Sequence, residues 1–384
     1  MLHLSTDLPR KLAAGTRHWF LKRRDDLLAS PDFHRRVLRY PFGRWVARRR
    51  ARELFDIAAG FVYSQVLTTC VELDLFERLA IGPLTTLDLA IACDIPEEAM
   101  QRFLAAATEL RLLQRGDSDQ WRLGELGAAS LGNPGIAAMS THNRLLYQDL
   151  IDPVSILQNR SQTQLGDYWA YASKPGYSES SNAARYSELM ARSQSFVADD
   201  VLAQCPLWGR RQLMDVGGGS GLFAAEALSR FPDLRARVFD LPEVAKLASQ
   251  RFQNAGMSDR AEAIGGDMFG AEMPAGADVV SLIRILHDHD DEQVMRLLRA
   301  VRSAISSDGL LLVAEPMAQT ASAPGVGAYF ELYLWAMRSG RPRSFDEIRR
   351  MLEAAGFADI QERPTFQPLL VRVLTARPGE VEAA

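Results

Sequence analysis

The sequence predicts an α/β fold: a doubly wound, Rossmann-like sheet, mostly parallel with an antiparallel final strand, behind an all-helical N-terminal domain of winged-helix type. Three observations predict it. Strand-like and helix-like segments alternate between residues 212 and 314, the pattern of a parallel sheet with helices on both faces. Four glycines stand in the five positions 217–221, between the first of those strands and its helix. The 384 residues, 47% hydrophobic and 24% charged, carry enough apolar material for two or three ordinary cores and exclude a disordered or collagen-like chain.

Charge divides the chain. Residues 1–52 hold fourteen Lys or Arg against four Asp, so a net charge of -4 splits into an arm of +10 and a remainder of -14. Trp19, Phe20, Phe33, Tyr40, Phe42 and Trp45 lie among those cations. Such a mixture suits an anionic surface, membrane or nucleic acid, and equally a solvated helix pair closing over the next domain. The apolar charge-free stretch at residues 57–71 falls short of the ~20 residues of a spanning helix and is broken by Gly60, Ser64, Gln65, Thr68 and Thr69, so no transmembrane segment is predicted. No secretory signal is recognisable. The expectation is a cytoplasmic protein, attached peripherally to the inner or an intracytoplasmic membrane if the arm meets lipid. Cys70, Cys93 and Cys205 are too scattered for a disulfide framework or a zinc cluster.

Over residues 51–79 apolar side chains recur at helical spacing with a thin polar side, which predicts a helix buried on most of its faces. Thr85, Thr86 and Asp88 open a second helix, residues 95–98 break and restart it, and residues 100–113 form a third with Phe103, Leu104, Ala107 and Leu110 inward. Strand-like pieces at 112–115 and 120–123 flank a turn, completing helix, turn, helix, wing within a domain of residues 53–165. A DNA reader of this shape would place the third helix in the major groove. Its exposed Gln101, Arg102, Glu109 and Arg111 are poor in the cations a phosphate backbone demands, which favours a packing or dimerisation module.

Residues 133–172 are richer in Gly, Pro, Ser and Asn, and 166–176 reads as a loop, which places the start of the last domain, 166–384, near there. Its expected strands are 212–216, 236–239, 261–265, 279–286 and 310–314, with helices at 222–229, 244–255 and 292–304. Strands at 359–365 and 369–376 are close enough in sequence to pair antiparallel.

Glycines at 217–221 let ligand atoms approach the backbone, so a nucleotide-type cofactor belongs in that crevice. Gly219, Gly221 and Ala224 fit G-x-G-x-x-A, with Asp240 at about the distance at which a ribose hydroxyl is read. Pyrophosphate wants a helix N-terminus free of carboxylates. Asp215, just ahead of the glycines, favours instead the cationic sulfonium of S-adenosylmethionine. Asp267 and Met268, with Phe269, end the third strand where an adenine would be sandwiched and its amino group accepted.

The runs DVGGGSG (215–221), FDLP (239–242), GGDMF (265–269) and LHDHDDEQ (286–293) resemble the plant-type small-molecule O-methyltransferases over roughly residues 53–376. Within that family, AGFVYSQVL (59–67) and LYLWAMRSGRPRS (332–344) are most similar to the hydroxyneurosporene (demethylspheroidene) O-methyltransferases of bacterial carotenoid synthesis. The resemblance implies an N-terminal dimerisation domain, a homodimer, a hydroxylated carotenoid as acceptor and S-adenosylmethionine as donor, leaving S-adenosylhomocysteine. It assigns Gly217 and its neighbours to the methionine moiety, Asp240 to the ribose, Asp267 and Met268 to the adenine and His287 to the catalytic base.

His287 is expected to end the fourth strand at the carboxyl edge of the sheet, where ligands bind in such folds, with Glu315 on the fifth strand orienting or charge-stabilising its imidazolium. The family brackets this histidine with two glutamates, but Pro342 occupies the position of the second, so either Glu315 suffices or Asp288 or Glu331 assists. No metal site is predicted: His287 and His289 alternate on one segment without a second cluster. Residues 329–337 form a helix apolar nearly all round, core or the wall of an apolar pocket. Two other readings stay open at this point. One is methylation of a phenolic or polyketide hydroxyl; the other is a winged-helix regulator that uses the second domain as a ligand sensor.

Overall fold

The computed structural model describes residues 7–117, 119–173, 194–270, 272–323, 325–368 and 371–380. Three helices lead the chain: α1 (Asp7–Ala29), α2 (Pro31–Val37) and α3 (Pro41–Glu72). Pro31 and Pro41 stand in the first turns of α2 and α3, where a missing N–H costs nothing, and Ser30 caps α2 by accepting from the Phe33 amide. α3 runs unbroken for 32 residues across positions 52 and 53, so the basic arm and the domain behind it share one helix. The expectation of a helix buried on most faces is corrected. Its buried residues are Thr68 and Cys70, while Leu54, Phe55, Ile57 and Phe61 are each more than 60% exposed. Periodicity reports an apolar face; it does not report whether the same chain covers it.

α3 is also long and apolar enough to cross a membrane by length and composition, where the sequence reading expected no such segment. Counting only uncharged runs stopped at residue 57 and missed a window that tolerates a charge. Near its C-terminus the helix is tied into the protein: Thr68 Oγ1 lies 2.7 Å from Ser140 Oγ on α8 (Pro134–Asp149).

Behind α3 come α4 (Leu75–Ile81), β1 (Leu84–Thr85), α5 (Thr86–Cys93), α6 (Glu97–Glu109), β2 (Leu113–Arg115), β3 (Gln120–Leu123) and α7 (Glu125–Leu131). The expected wing is present as a small sheet in the order β1-β3-β2, and Thr85 with Asp88 forms the capping box of α5. Trp121 on the wing donates to Thr86 Oγ1 at 2.9 Å and closes a core with Phe76, Leu89, Met100 and Leu104. After α8 follow α9 (Pro153–Leu157), α10 (Gln164–Ser173) and α11 (residues 194–204). The loop expected at 166–176 is helical as far as residue 173, because Leu165 and Trp169 give it an apolar stripe that packs under Tyr333, Leu334 and Met337; residues 174–176 lie outside the described residues.

The large sheet contains β4 (Gln212–Val216), β5 (Arg235–Asp240), β6 (Ala261–Gly265), β7 (Ala277–Ile283), β8 (Ile305–Glu315), β9 (Phe357–Arg363) and β10 (Arg372–Pro378) in the order β6-β5-β4-β7-β8-β10-β9. β4 to β8 are parallel, and β10 is antiparallel to both β8 and β9, as the pattern required. The helices α12 (Leu222–Arg230), α13 (Pro242–Asn254), α14 (Asp291–Ala304), α15 (Val326–Met337) and α16 (Phe345–Ala354) complete the fold, with one apolar core on each face of the sheet. Strand order reverses between β4 and β7, so a crevice opens at their carboxyl ends. The strand expected to reach residue 286 stops at Ile283. Arg284 takes a positive φ of 58°, and residues Leu286–Asp288 form a short 3-10 turn instead.

Candidate active site

The crevice is lined by Asp215, Gly217, Gly219, Asp240, Asp267, Met268, Phe269 and Asp288, so all six predicted cofactor residues meet in one cavity. Gly217 has φ +67°, and a Cβ there would stand 2.4 Å from Ile285 Cδ1, which is why the backbone alone fits between strand and turn. Arg251 on α13 braces the loop from outside, donating to Ser220 O at 2.8 Å.

Two carboxylates face this loop from buried positions. Asp240 accepts from the Gly219 amide at 2.8 Å and the Leu241 amide at 2.7 Å, yet burial pushes it up to about 6. Asp215 is pushed up to about 7 by burial, against which the Ser281 hydroxyl, donating to Oδ1 at 2.6 Å, works in the opposite direction. The other oxygen, Oδ2, is buried in the cavity wall with no hydrogen-bond partner. An unmatched buried carboxylate oxygen is costly alone and is satisfied by a cation, so the residues fit a positively charged ligand better than a pyrophosphate. Asp267 accepts from the Phe269 amide at 2.9 Å, which holds the adjoining turn.

His287 is buried on the 3-10 turn that follows β7. Glu315, at the end of β8, builds that turn: its Oε1 accepts from the Ile285 and Leu286 amides at 2.9 and 2.6 Å. Its Oε2 receives His287 Nδ1 at 2.6 Å and the His287 amide at 3.3 Å. A carboxylate can only accept, so Nδ1 carries the proton and Nε2 is left for chemistry. Asp288 Oδ1 stands 3.2 Å from Nε2. Burial by itself lowers the imidazole, but Asp288 and Glu315 together leave it raised above its ordinary value. The second carboxylate at this histidine is therefore Asp288; Glu331 is exposed to solvent on α15. His289 packs its ring on Phe269, and burial lowers it to about 3, so it stays neutral.

The segment where the family's second glutamate was sought presses on the turn from below. Ser339 Oγ donates to Asp288 O at 2.6 Å, and buried Arg343 donates to Leu286 O at 2.5 Å and His289 O at 2.8 Å. Gly340 has φ +76°, and a Cβ there would lie 1.9 Å from His287 O. Ser281, Arg251, Arg343, Ser339 and Gly340 are the site residues that sequence reasoning missed. All act through contacts across 30 to 70 positions of chain, which no local pattern displays.

α15 supplies the wall beside His287. Phe330 meets the imidazole edge to face at 5.6 Å, and Tyr329 stacks on Tyr333 at 5.7 Å. The phenol groups are turned away to α8, Tyr333 OH lying 2.9 Å from His142 Nε2 and Tyr329 OH donating to Asn143 Oδ1 at 2.8 Å. Burial lowers His142 to about 4 and raises both tyrosines, so this wall carries no charge near neutral pH.

Comparison with known proteins agrees with this geometry. Residues 147–358 match the O-methyltransferase domain, and residues 55–132 match the O-methyltransferase dimerisation domain. The chain is 41% identical to demethylspheroidene O-methyltransferase of Cereibacter sphaeroides over 92% of this chain and 94% of that protein. It is 37% identical to demethylspheroidene O-methyltransferase of Rhodobacter capsulatus over 91% and 88% of the two chains. Among solved structures, human N-acetylserotonin methyltransferase in complex with S-adenosylmethionine superposes with a TM-score of 0.71 at 25% identity, covering 86% of this chain and 98% of that one.

Proposed function

The chain belongs to the O-methyltransferase family that carries its own dimerisation domain and uses S-adenosylmethionine, and from that premise we propose that its acceptor is the hydroxyl of a demethylspheroidene- or hydroxyneurosporene-type carotenoid. One observation carries the catalytic assignment: a buried imidazole whose Nδ1 is fixed by Glu315, leaving Nε2 3.2 Å from Asp288, a residue that lines the same cavity as Asp215, Asp240 and the glycine loop. Two further observations support the choice of acceptor. They are the similarity to two carotenoid-modifying relatives along nine-tenths of the chain, and the uncharged aromatic wall of Phe330, Tyr329 and Tyr333 next to the base.

S-adenosylmethionine, when bound, supplies an electrophilic methyl group on a cationic sulfur. Gly217, Gly219 and Asp215 would hold its methionine end, Asp240 its ribose, Asp267 and Met268 its adenine. His287 Nε2 takes the proton of the acceptor hydroxyl. An aliphatic alcohol has a pKa near that of water, ~15.7, about nine units above an unperturbed imidazole, or about 12 kcal/mol. Proton transfer to Nε2 therefore accompanies methylation rather than preceding it. Glu315 and Asp288 stabilise the imidazolium that results, and Phe330 with its neighbours excludes water from the acceptor side.

The same reading makes the protein a homodimer. It is supported by the dimerisation domain at 55–132 and by the exposed apolar face of α3, with Phe55, Ile57 and Phe61. The assay is methyl transfer from labelled S-adenosylmethionine to a hydroxylated carotenoid in detergent, in competition with a simple phenol. Carotenoid turnover with kcat/KM well above that of the phenol is expected; methylation of the phenol alone would overturn the acceptor assignment.

A further inference from the structure

We propose that residues 17–52 form a docking surface for an anionic lipid bilayer, a property that holds whatever the acceptor is. None of these residues is buried, although all but a few are helical. Helices in water owe most of their stability to packing of an apolar face, so an arm without a core implies an external one. What the arm exposes says which. Trp19, Phe20, Leu27, Tyr40, Phe42 and Trp45 are each about half exposed or more, among twelve Lys or Arg and three Asp. Trp19 sits under the Arg23 guanidinium at 5.3 Å, and Phe42 stacks on Trp45 at 6.1 Å beside Arg44, Arg48 and Arg49.

Amphipathic aromatic rings settle at headgroup depth, while cations pair with anionic lipids and let their aliphatic stems lie along the apolar boundary. Duplex nucleic acid would be matched by the cations alone and leaves the leucines and aromatic rings in water. A second copy of the chain is already provided for further along α3, at Phe55, Ile57 and Phe61 within the matched dimerisation domain. The arm precedes that face on the same continuous helix, so a dimer carries two arms.

The test uses the full-length protein without substrate. Flotation with vesicles of equal phosphatidylglycerol and phosphatidylcholine should show partitioning at least tenfold stronger than with phosphatidylcholine alone, and 0.5 M salt should reduce it at least tenfold. Arg44, Arg48 and Arg52 share one side of α3, and replacing all three by Glu should weaken vesicle binding at least tenfold, at about fivefold per cation removed. Replacing Phe42 and Trp45 by Ala, which leaves the charge intact, should weaken it severalfold. Circular dichroism and methyl transfer to a detergent-dispersed acceptor should be unchanged in both variants. Equal binding to neutral and anionic vesicles overturns the proposal, as do wild-type partitioning of the charge-reversed variant and tighter binding to duplex RNA or DNA than to anionic vesicles at matched salt. Loss of the dimer in the charge-reversed variant with vesicle binding intact would assign the arm to the partner subunit instead.

Discussion

Replacing Asp215 by Asn tests the cofactor site at its most exposed physical assumption, that a buried carboxylate with one unmatched oxygen is the receptor for positive charge. Burial places this group at about 7. Where only the ionised form binds the cationic donor, the apparent Kd is multiplied by one plus ten to the power of pKa minus pH. That factor is about 1.1 at pH 8 and about 11 at pH 6, so affinity falls about tenfold as pH drops across that interval. The sign for stability is opposite. A carboxyl raised in the folded state favours the fold while protonated, and this contribution is lost as pH rises from about 4 through 7, by roughly 4 kcal/mol at most. The bound cation removes that cost. Isothermal titration calorimetry with S-adenosylmethionine at pH 6, 7 and 8 reads both effects. Wild type should show the tenfold trend, and Asp215→Asn should bind about 10–100-fold more weakly at pH 8 with a flat profile. A wild-type Kd that moves less than twofold, or a variant that keeps the trend, would refute this role for Asp215.

Three other outcomes are expected. His287→Gln should keep S-adenosylmethionine affinity in calorimetry while kcat falls about 10²–10⁴-fold, since only the proton acceptor is lost; a near-normal rate removes His287 from the mechanism. Gly340→Ala forces a Cβ against His287 O at a positive φ, so the melting midpoint should fall by the equivalent of about 1–3 kcal/mol and kcat by at least about tenfold, with donor binding preserved. Phe61→Lys, on the exposed face of α3, should turn a dimer into a folded monomer in sedimentation velocity; an unchanged dimer would place the interface elsewhere.

The parallel sheet, the wing and the six residues that line the crevice were legible because each is encoded locally. Alternation of short apolar runs marks β4 to β8, and Asp215, Asp240 and Asp267 each lie within two residues of a strand's carboxyl end. The capping box Thr85–Asp88 is equally local. What escaped the reading is either tertiary or external. The segment Gly166–Ser173 is polar enough to pass for a loop and becomes helix only because Leu165 and Trp169 find Tyr333 and Leu334 across the domain. α3 has the periodicity of a buried helix, yet this chain leaves Leu54, Phe55, Ile57 and Phe61 exposed. His287 lies just past β7 with Glu315 on its Nδ1, as the pattern predicts, but the rest of what holds the turn was not legible. Asp288 was one of two candidates, and Arg343, an ordinary cation in the sequence, is buried under the turn with three hydrogen-bonding partners.

The turn that bears His287 is held by groups far downstream: Glu315 after 28 positions, then Ser339, Gly340 and Arg343 after more than 50. The donor crevice, by contrast, is lined by residues between 169 and 289. Synthesis from the N-terminus thus delivers a receptacle for the methyl donor well before it delivers the clasp that aligns the imidazole. β10, which must slip between β8 and β9, arrives later still. A nascent chain that has not yet reached Ser339 and Arg343 is then expected to offer the donor its receptacle with the imidazole still unclasped.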